Sequence, residues 1–206
     1  MSSGRRNDQG ADRPTRRLFI AVPLSEEARS VVADLVAGVR TRVAGADSLR
    51  WVRLDGLHLT LRFLGRVVED GIPPIASAID KVAAVHRPFS LTISGGGAFP
   101  SPSRPRVLWL AVGEGANDLA AVERALVGPL ATLGWQPEER PYAPHLTLAR
   151  SDGVRDGPAA ARDLVTAALS LSVAFTVDRI VLYESVPGGH GPARYVAIHE
   201  ASLRAE

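Results

Sequence analysis

Two copies of the tetrapeptide His-Leu-Thr-Leu, at residues 58–61 and 145–148, constrain the fold of this chain more than any other feature. Each copy follows a segment with helical spacing of apolar residues. That segment in turn follows a short apolar run, at 18–22 in the first half and 108–112 in the second. The apolar runs lie 90 residues apart and the tetrapeptides 87 residues apart, so order and spacing both repeat. The repeat predicts two similar lobes that face each other across a pseudo-two-fold axis.

The local patterns assign elements around the repeat. The two apolar runs have the length of buried strands. Ser25 precedes a helical pattern over 26–43 and can cap it. Asp55-Gly56 stands between two apolar segments, which predicts a hairpin. The triple glycine at 95–97 predicts a loop, and Pro129 predicts a kink or an early end in the helix that contains it.

Strand periodicity indicates which side chains of the tetrapeptides share a face. Residues two apart in a strand point to the same side. His58 and Thr60 should therefore project together, while Leu59 and its alternating neighbours Leu61 and Phe63 enter the core. In the second copy His145 and Thr147 project while Leu146 and Leu148 anchor the strand. One imidazole and one hydroxyl from each lobe would then line a shared cleft.

Two histidines and two hydroxyls suit the opening of a strained cyclic phosphate. With an ordinary pKa of about 6.5, one imidazole can be neutral and take a proton from water while the other, protonated, protonates the leaving oxygen. Threonine hydroxyls can donate to the non-bridging phosphate oxygens. This chemistry needs neither a metal nor another cofactor. A repeat kept only as scaffold would retain the packing leucines and has no need of both polar residues, so we favour a catalytic role for His58 and His145.

Composition limits the partners. The chain has no cysteine, which excludes disulfides and thiolate metal sites. Residues 1–16 are polar and are predicted to be a disordered tail, followed by a single folded domain over 17–206. The net charge of the chain is +2. The first 17 residues alone carry +3, so the other 189 residues sum to −1. This balance fits an RNA terminus or a small nucleotide better than a duplex. We see no secretory signal and no apolar run long enough to cross a bilayer, which predicts a cytoplasmic protein that does not bind membranes. We also expect a monomer.

The motifs then resemble those of a known family. The opening strand RLFIAV, the WVR and LHLTLRFLG segments, the RPRVLWLAV segment, PHLTLAR and LYES are similar to the two-histidine phosphoesterase superfamily. Within that superfamily they most resemble the RNA 2′,3′-cyclic phosphodiesterases, also named 2′-5′ RNA ligases. The resemblance covers residues 17–200. It implies a bilobal α+β fold, with antiparallel sheets around a central cleft and helices outside. It also implies hydrolysis of 2′,3′-cyclic phosphates to 2′-phosphates, with weak reverse ligation.

The resemblance also assigns roles to individual residues. It makes His58 the proton donor to the 3′ oxygen and His145 the acceptor that activates water. Thr60 and Thr147 would hold the phosphate. Arg150, five residues after His145, matches a position that contacts the substrate phosphate, although regular alternation puts it on the opposite face from His145.

Two other functions fit the same residues. One keeps the mechanism but acts on another cyclic phosphate or on a 2′-5′-linked nucleotide. The other is a nucleotide-binding module without catalysis. The presence of both histidines argues against the second, because binding alone would tolerate the loss of one.

Overall fold

A computed structural model describes residues 13–151, 155–189 and 191–204 of the chain. Within these ranges its helices and strands follow in the order β1 (Thr15–Pro23), α1 (Glu26–Arg42), β2 (Arg50–Trp51), β3 (His58–Val68), α2 (Ile72–Ala83), β4 (Phe89–Phe99), β5 (Val107–Val112), α3 (Ala116–Thr132), β6 (His145–Arg150), α4 (Gly157–Ala167), β7 (Ser172–Val177), β8 (Arg179–Gly188) and β9 (Gly191–Ser202). Residues 1–12 of the predicted tail lie outside the described residues. Residues 15 and 16, also assigned to that tail, belong to β1 and pair with β3.

The sheet has the symmetry that the repeat predicts. Its strand order is β7-β4-β5-β6-β3-β1-β8-β9, and every pairing along it is antiparallel. The order is symmetric about its centre: β6 and β3 are the two central strands, and β5 and β1 flank them on either side. The chain crosses between the halves, because β4 follows α2 but joins the second half, and β8 returns to the first. The α+β, two-lobed fold predicted from the sequence is confirmed.

The two halves meet at the strands that carry the tetrapeptides. β3 and β6 share one register pair, Leu59 opposite Leu146, and neither side chain is exposed. Beyond this pair β6 continues against β2, with Trp51 opposite Ala149. The pseudo-two-fold axis therefore passes beside Leu59 and Leu146, and the two tetrapeptides are in direct contact.

Two local predictions are corrected, and so is part of a third. Leu54–Gly56 forms a 3-10 turn, and the strand before it pairs with β6 rather than forming a hairpin with β3. Gly96 and Gly97 lie inside β4, opposite Leu110 and Trp109, rather than in a loop. Pro129 lies within α3, which runs on to Thr132, so the helix does not end early at this proline, and the kink stays a prediction.

The helices and the sheet share one hydrophobic core on the side away from the tetrapeptide polar residues. Apolar residues of α1, α2, α3 and α4 pack against leucines, isoleucines and valines of the strands. Among the described residues, no helix is both long and apolar enough to cross a membrane.

Candidate active site

Each tetrapeptide strand carries a β-bulge at the same place. In β3, Ile20 of β1 is opposite Arg62 and Ala21 is opposite Thr60, so Leu61 has no partner of its own. In β6, Trp109 is opposite Thr147 and Leu108 is opposite Ala149, so Leu148 is the unpaired residue. An extra residue reverses the alternation of faces that follows it. The fourth residue of both tetrapeptides is thus an inserted one.

The bulges change which side chains face the cleft. The two residues after each threonine are buried in succession, Leu61 and Arg62 in one lobe and Leu148 and Ala149 in the other. The fifth residue after each histidine then returns to the histidine face. Arg150 therefore lies on the same side as His145, as the family resemblance requires and regular alternation does not.

Phe63 is the counterpart of Arg150 in the first lobe, and the prediction that it enters the core is wrong. Its side chain is 59% exposed and lies at the cleft. Aligning the two tetrapeptides places Phe63 at the position of Arg150, so this alignment could have identified it.

Both histidines are held in the same tautomer by the backbone. His58 Nδ1 donates to the carbonyl oxygen of Gly56 at 2.7 Å, and His145 Nδ1 donates to that of Ala143 at 2.8 Å. A carbonyl can only accept, so each Nδ1 carries the hydrogen. In both rings this leaves Nε2 as the nitrogen available to exchange a proton with a ligand.

His58 lies among aromatic rings. Its ring centroid is 4.7 Å from that of Phe19 and 4.9 Å from that of Tyr195, which meets it edge-on. Tyr183 stacks on Phe19, and its ring centroid is 6.1 Å from that of His58. A Cβ at Gly56 would lie 2.8 Å from the Tyr195 ring, so the glycine that accepts the Nδ1 hydrogen bond also lets this ring approach.

These surroundings change the protonation of His58. Burial lowers the pKa of His58 to about 4, against a weaker raising effect from the hydrogen bond to Gly56. Desolvation disfavours the charged form. His58 is therefore neutral at neutral pH when the cleft holds no ligand.

This pKa makes stability depend on pH in a defined window. As pH falls from 6.5 to 4, the unfolded imidazole takes up a proton that the folded one does not, so the free energy of unfolding should decrease. Relative to a His58→Gln variant, the wild type should lose up to about 1.4 kcal/mol per pH unit across that window. Urea unfolding from pH 7 to pH 4.5 measures it, with His86→Gln as the matched control. A wild-type-minus-variant difference that stays flat would show that burial does not keep His58 neutral.

The second histidine has a more open environment. The edge of Phe99 meets its ring at 5.2 Å, and the Trp109 ring is 6.4 Å away. Trp109 occupies the position in β5 that Phe19 occupies in β1. Its register partner is Gly97, where Phe19 has Tyr183. A Cβ at Gly97 would lie 2.5 Å from Trp109 Cζ2, so the larger indole requires glycine there.

Four of the five predicted site residues line one cavity of about 280 Å³: His58, Thr60, Thr147 and Arg150. Arg17 and Tyr195 also line it, and sequence analysis did not select either. Burial raises the pKa of the Tyr195 hydroxyl, and the charges of Arg150 and Arg17 act in the opposite direction. The described residues around this cavity include two arginines and no carboxylate, which suits a phosphate.

His145 lines an adjoining cavity of about 660 Å³ rather than the smaller one. Thr60 and Phe63 line both cavities, so they mark the boundary between the two. The larger cavity also contains Arg106 and Arg140, together with Glu138 and the ring of Phe99. The cleft thus has two compartments, and each presents one histidine.

The segment before His145 is attached to β3 by hydrogen bonds. Tyr142 donates its hydroxyl to the Thr60 carbonyl oxygen at 2.9 Å, and Trp135 donates to the Leu64 carbonyl oxygen at 2.9 Å. Arg62 donates to the Gln136 carbonyl oxygen and forms an ion pair with Glu123. Arg62 is only 5% exposed, so it is a structural residue and not one that can meet phosphate. These bonds fix His145 relative to the first lobe.

Among the described residues there is no group of three or more histidine, aspartate or glutamate side chains placed to hold a metal ion. The expectation of a reaction without a metal stays a prediction.

The chain matches a known family. The sequence profile of the 2′-5′ RNA ligase superfamily matches residues 20–189.

Individual relatives agree with this match. An RNA 2′,3′-cyclic phosphodiesterase of Thermotoga maritima is 32% identical over 91% of this chain and 95% of its own length. One of Geobacillus stearothermophilus is 35% identical over 81% of this chain, and this chain spans about half (51%) of that protein. Among solved structures, E. coli LigT complexed with 3′-AMP superposes with a TM-score of 0.70 at 25% identity, over 93% of this chain and all of that one.

Proposed function

This chain belongs to the 2′-5′ RNA ligase superfamily, and on that basis we propose that it hydrolyses 2′,3′-cyclic phosphate ends of RNA to 2′-phosphomonoesters. Relatives along most of the chain are named for this activity. The observation that carries the proposal is the matched pair of Nδ1 hydrogen bonds, which leaves Nε2 of His58 and of His145 available from opposite lobes.

The reaction is an in-line displacement at phosphorus. His145 Nε2 takes a proton from water as the water oxygen bonds to phosphorus. The bond from phosphorus to the 3′ oxygen breaks on the opposite side, and His58 Nε2 gives that oxygen a proton. One proton is gained by His145 and one is lost by His58, so exchange with solvent restores both. The product carries a 2′-phosphate and a 3′-hydroxyl.

The remaining residues act on the phosphate. The threonine hydroxyls of Thr60 and Thr147 donate to its non-bridging oxygens, where charge is concentrated in the transition state. Arg150, whose side chain forms no hydrogen bond or ion pair with a described residue, supplies a positive charge to the same oxygens.

The role of His58 as donor requires the substrate. Because the pKa of His58 is about 4 in the ligand-free cleft, its imidazolium needs a stabilising negative charge. The anionic cyclic phosphate supplies that charge when it binds beside the ring. Substrate binding and protonation of His58 are thus coupled, which keeps the acid uncharged until there is a bond to break.

No metal takes part in this mechanism, because the two imidazoles and the ring strain of the cyclic phosphate provide the activation. With a 5′-hydroxyl in place of the attacking water, the same groups join a 2′,3′-cyclic phosphate end to that hydroxyl with a 2′-5′ linkage, in low yield because water competes.

The first test is hydrolysis of a short RNA with a 2′,3′-cyclic phosphate end in the presence of excess EDTA. We expect multiple turnovers to a product that co-elutes with a 2′-phosphate standard and not with a 3′-phosphate standard. Activity that disappears with EDTA and returns with added metal would contradict the metal-free mechanism. If the pure, folded protein gives no turnover on RNA, cyclic mononucleotides and 2′-5′-linked dinucleotides become the next substrates to test.

A further inference from the structure

The two compartments of the cleft are unequal, and each histidine has access to one of them. His58 lines the cavity of about 280 Å³ and His145 the cavity of about 660 Å³. In an in-line displacement the attacking and leaving oxygens lie on opposite sides of phosphorus. The leaving 3′ oxygen and its ribose then belong to the His58 compartment. The attacking oxygen enters from the His145 compartment.

The His145 compartment is much larger than an attacking water requires. A water occupies roughly 30 Å³, whereas pockets of about 300–1,000 Å³ typically bind organic ligands. The walls also match a nucleotide. Phe99 and Phe63, 39% and 59% exposed, offer faces on which bases can stack.

Two cations complete the match. Arg106 and Arg140 line this compartment, both side chains are exposed, and neither forms a hydrogen bond or ion pair with a described residue. One carboxylate, that of Glu138, opposes them. The compartment thus combines aromatic faces and a net positive charge with the histidine that accepts a proton from the nucleophile.

We propose that the larger compartment is an acceptor site for the 5′-hydroxyl end of a second RNA strand, with Phe99 stacking its first base and Arg106 and Arg140 holding its first phosphate. This inference rests on the proposed function, since it needs the cyclic phosphate bound between the histidines. The 5′ oxygen bonds to phosphorus and gives its proton to His145 Nε2. The bond to the 3′ oxygen breaks and that oxygen receives a proton from His58, so a 2′-5′ diester and a free 3′-hydroxyl form.

The test measures two products in one reaction. The donor is a 5′-phosphorylated RNA with a 2′,3′-cyclic phosphate, and the acceptor is a 5′-hydroxyl RNA with a blocked 3′ end. We expect Arg106→Gln/Arg140→Gln to lower the ratio of joined to hydrolysed donor by about tenfold, because each lost arginine removes a phosphate contact from the acceptor alone. Arg87→Gln, a change before β4 at the end of that strand remote from Phe99, should leave the ratio as in the wild type. An acceptor with a 5′-phosphate should not be joined.

A second readout covers low joining yields. Binding of the acceptor displaces water, so increasing acceptor should slow hydrolysis by the wild type, and the double variant should need about tenfold more acceptor for the same effect. A double variant that loses hydrolysis and joining in equal proportion would assign the arginines to the donor strand and overturn the inference. The inference would also be overturned if the wild-type protein hydrolysed the donor but did not join it to the acceptor, and if added acceptor did not slow this hydrolysis. Absence of donor hydrolysis in every condition would instead count against the proposed function.

Discussion

Replacing His58 or His145 by alanine is expected to lower the single-turnover rate of cyclic phosphate hydrolysis by about 10²–10⁴ for each variant, because each removes one proton-transfer partner. The double variant should be little slower than the worse single one, since residues that act as a unit are not additive. His86→Ala is the matched control: it removes a half-buried histidine whose Nδ1 also donates to a carbonyl oxygen, that of Val82. Single-turnover rates at saturating protein separate this effect from substrate affinity.

Rescue by imidazole adds a readout that a folding defect would not give. His58→Ala leaves a space bounded by the rings of Phe19 and Tyr195, which added imidazole can enter. Its rate should therefore rise with imidazole concentration, whereas that of Thr60→Val should not. Either histidine variant retaining activity within tenfold of the wild type would remove that residue from the mechanism.

Truncating the leucine pair between the lobes is expected to have the largest effect on stability. Leu59→Ala and Leu146→Ala should each lower the free energy of unfolding by about 2–5 kcal/mol, because both side chains are fully buried and the cavity lies where β3 and β6 meet. Their effects should also couple by about 0.5–3 kcal/mol, since the residues are register partners. Urea denaturation of the two single variants and the double variant measures both quantities.

Exposed leucines provide the comparison. Leu54→Ala and Leu169→Ala, at side chains 38% and 80% exposed, should cost less than about 1 kcal/mol. If Leu59→Ala and Leu146→Ala also lowered the free energy of unfolding by less than about 1 kcal/mol, the lobes would be held together elsewhere. Additive effects would mean that the pair does not pack as one unit.

The repeat predicted the architecture because it is visible at the level of whole segments. Equivalent apolar runs became equivalent strands, β1 and β5, and the helix expected over 26–43 is α1, Glu26–Arg42. The tetrapeptides lie side by side as expected from a pseudo-two-fold axis. Patterns of this kind depend on local spacing and on duplication, both of which a single sequence contains.

The faces of β3 and β6 could not be predicted beyond the threonines. Regular alternation assumes an uninterrupted ladder, and the bulges at Leu61 and Leu148 interrupt it. Regular alternation from His58 would place Arg62 on the cleft face. Its burial instead depends on Glu123 and the Gln136 carbonyl oxygen, which are more than 60 residues away in sequence. The Asp55-Gly56 turn signal was real, but the preceding strand pairs with β6, a partner that no local pattern indicates.

The bulges also bear on how proteins of this design can diverge. In each lobe the fifth residue after the histidine faces the cleft and contributes nothing to the core, as the exposed Phe63 and Arg150 show. The duplication therefore provides two positions in the cleft whose side chains can change without cost to folding. In this chain one holds an aromatic ring and the other a cation, so two copies of one strand carry different ligand chemistries. New substrate preferences can arise here by single substitutions, while the four residues of the histidine and threonine pairs stay in place.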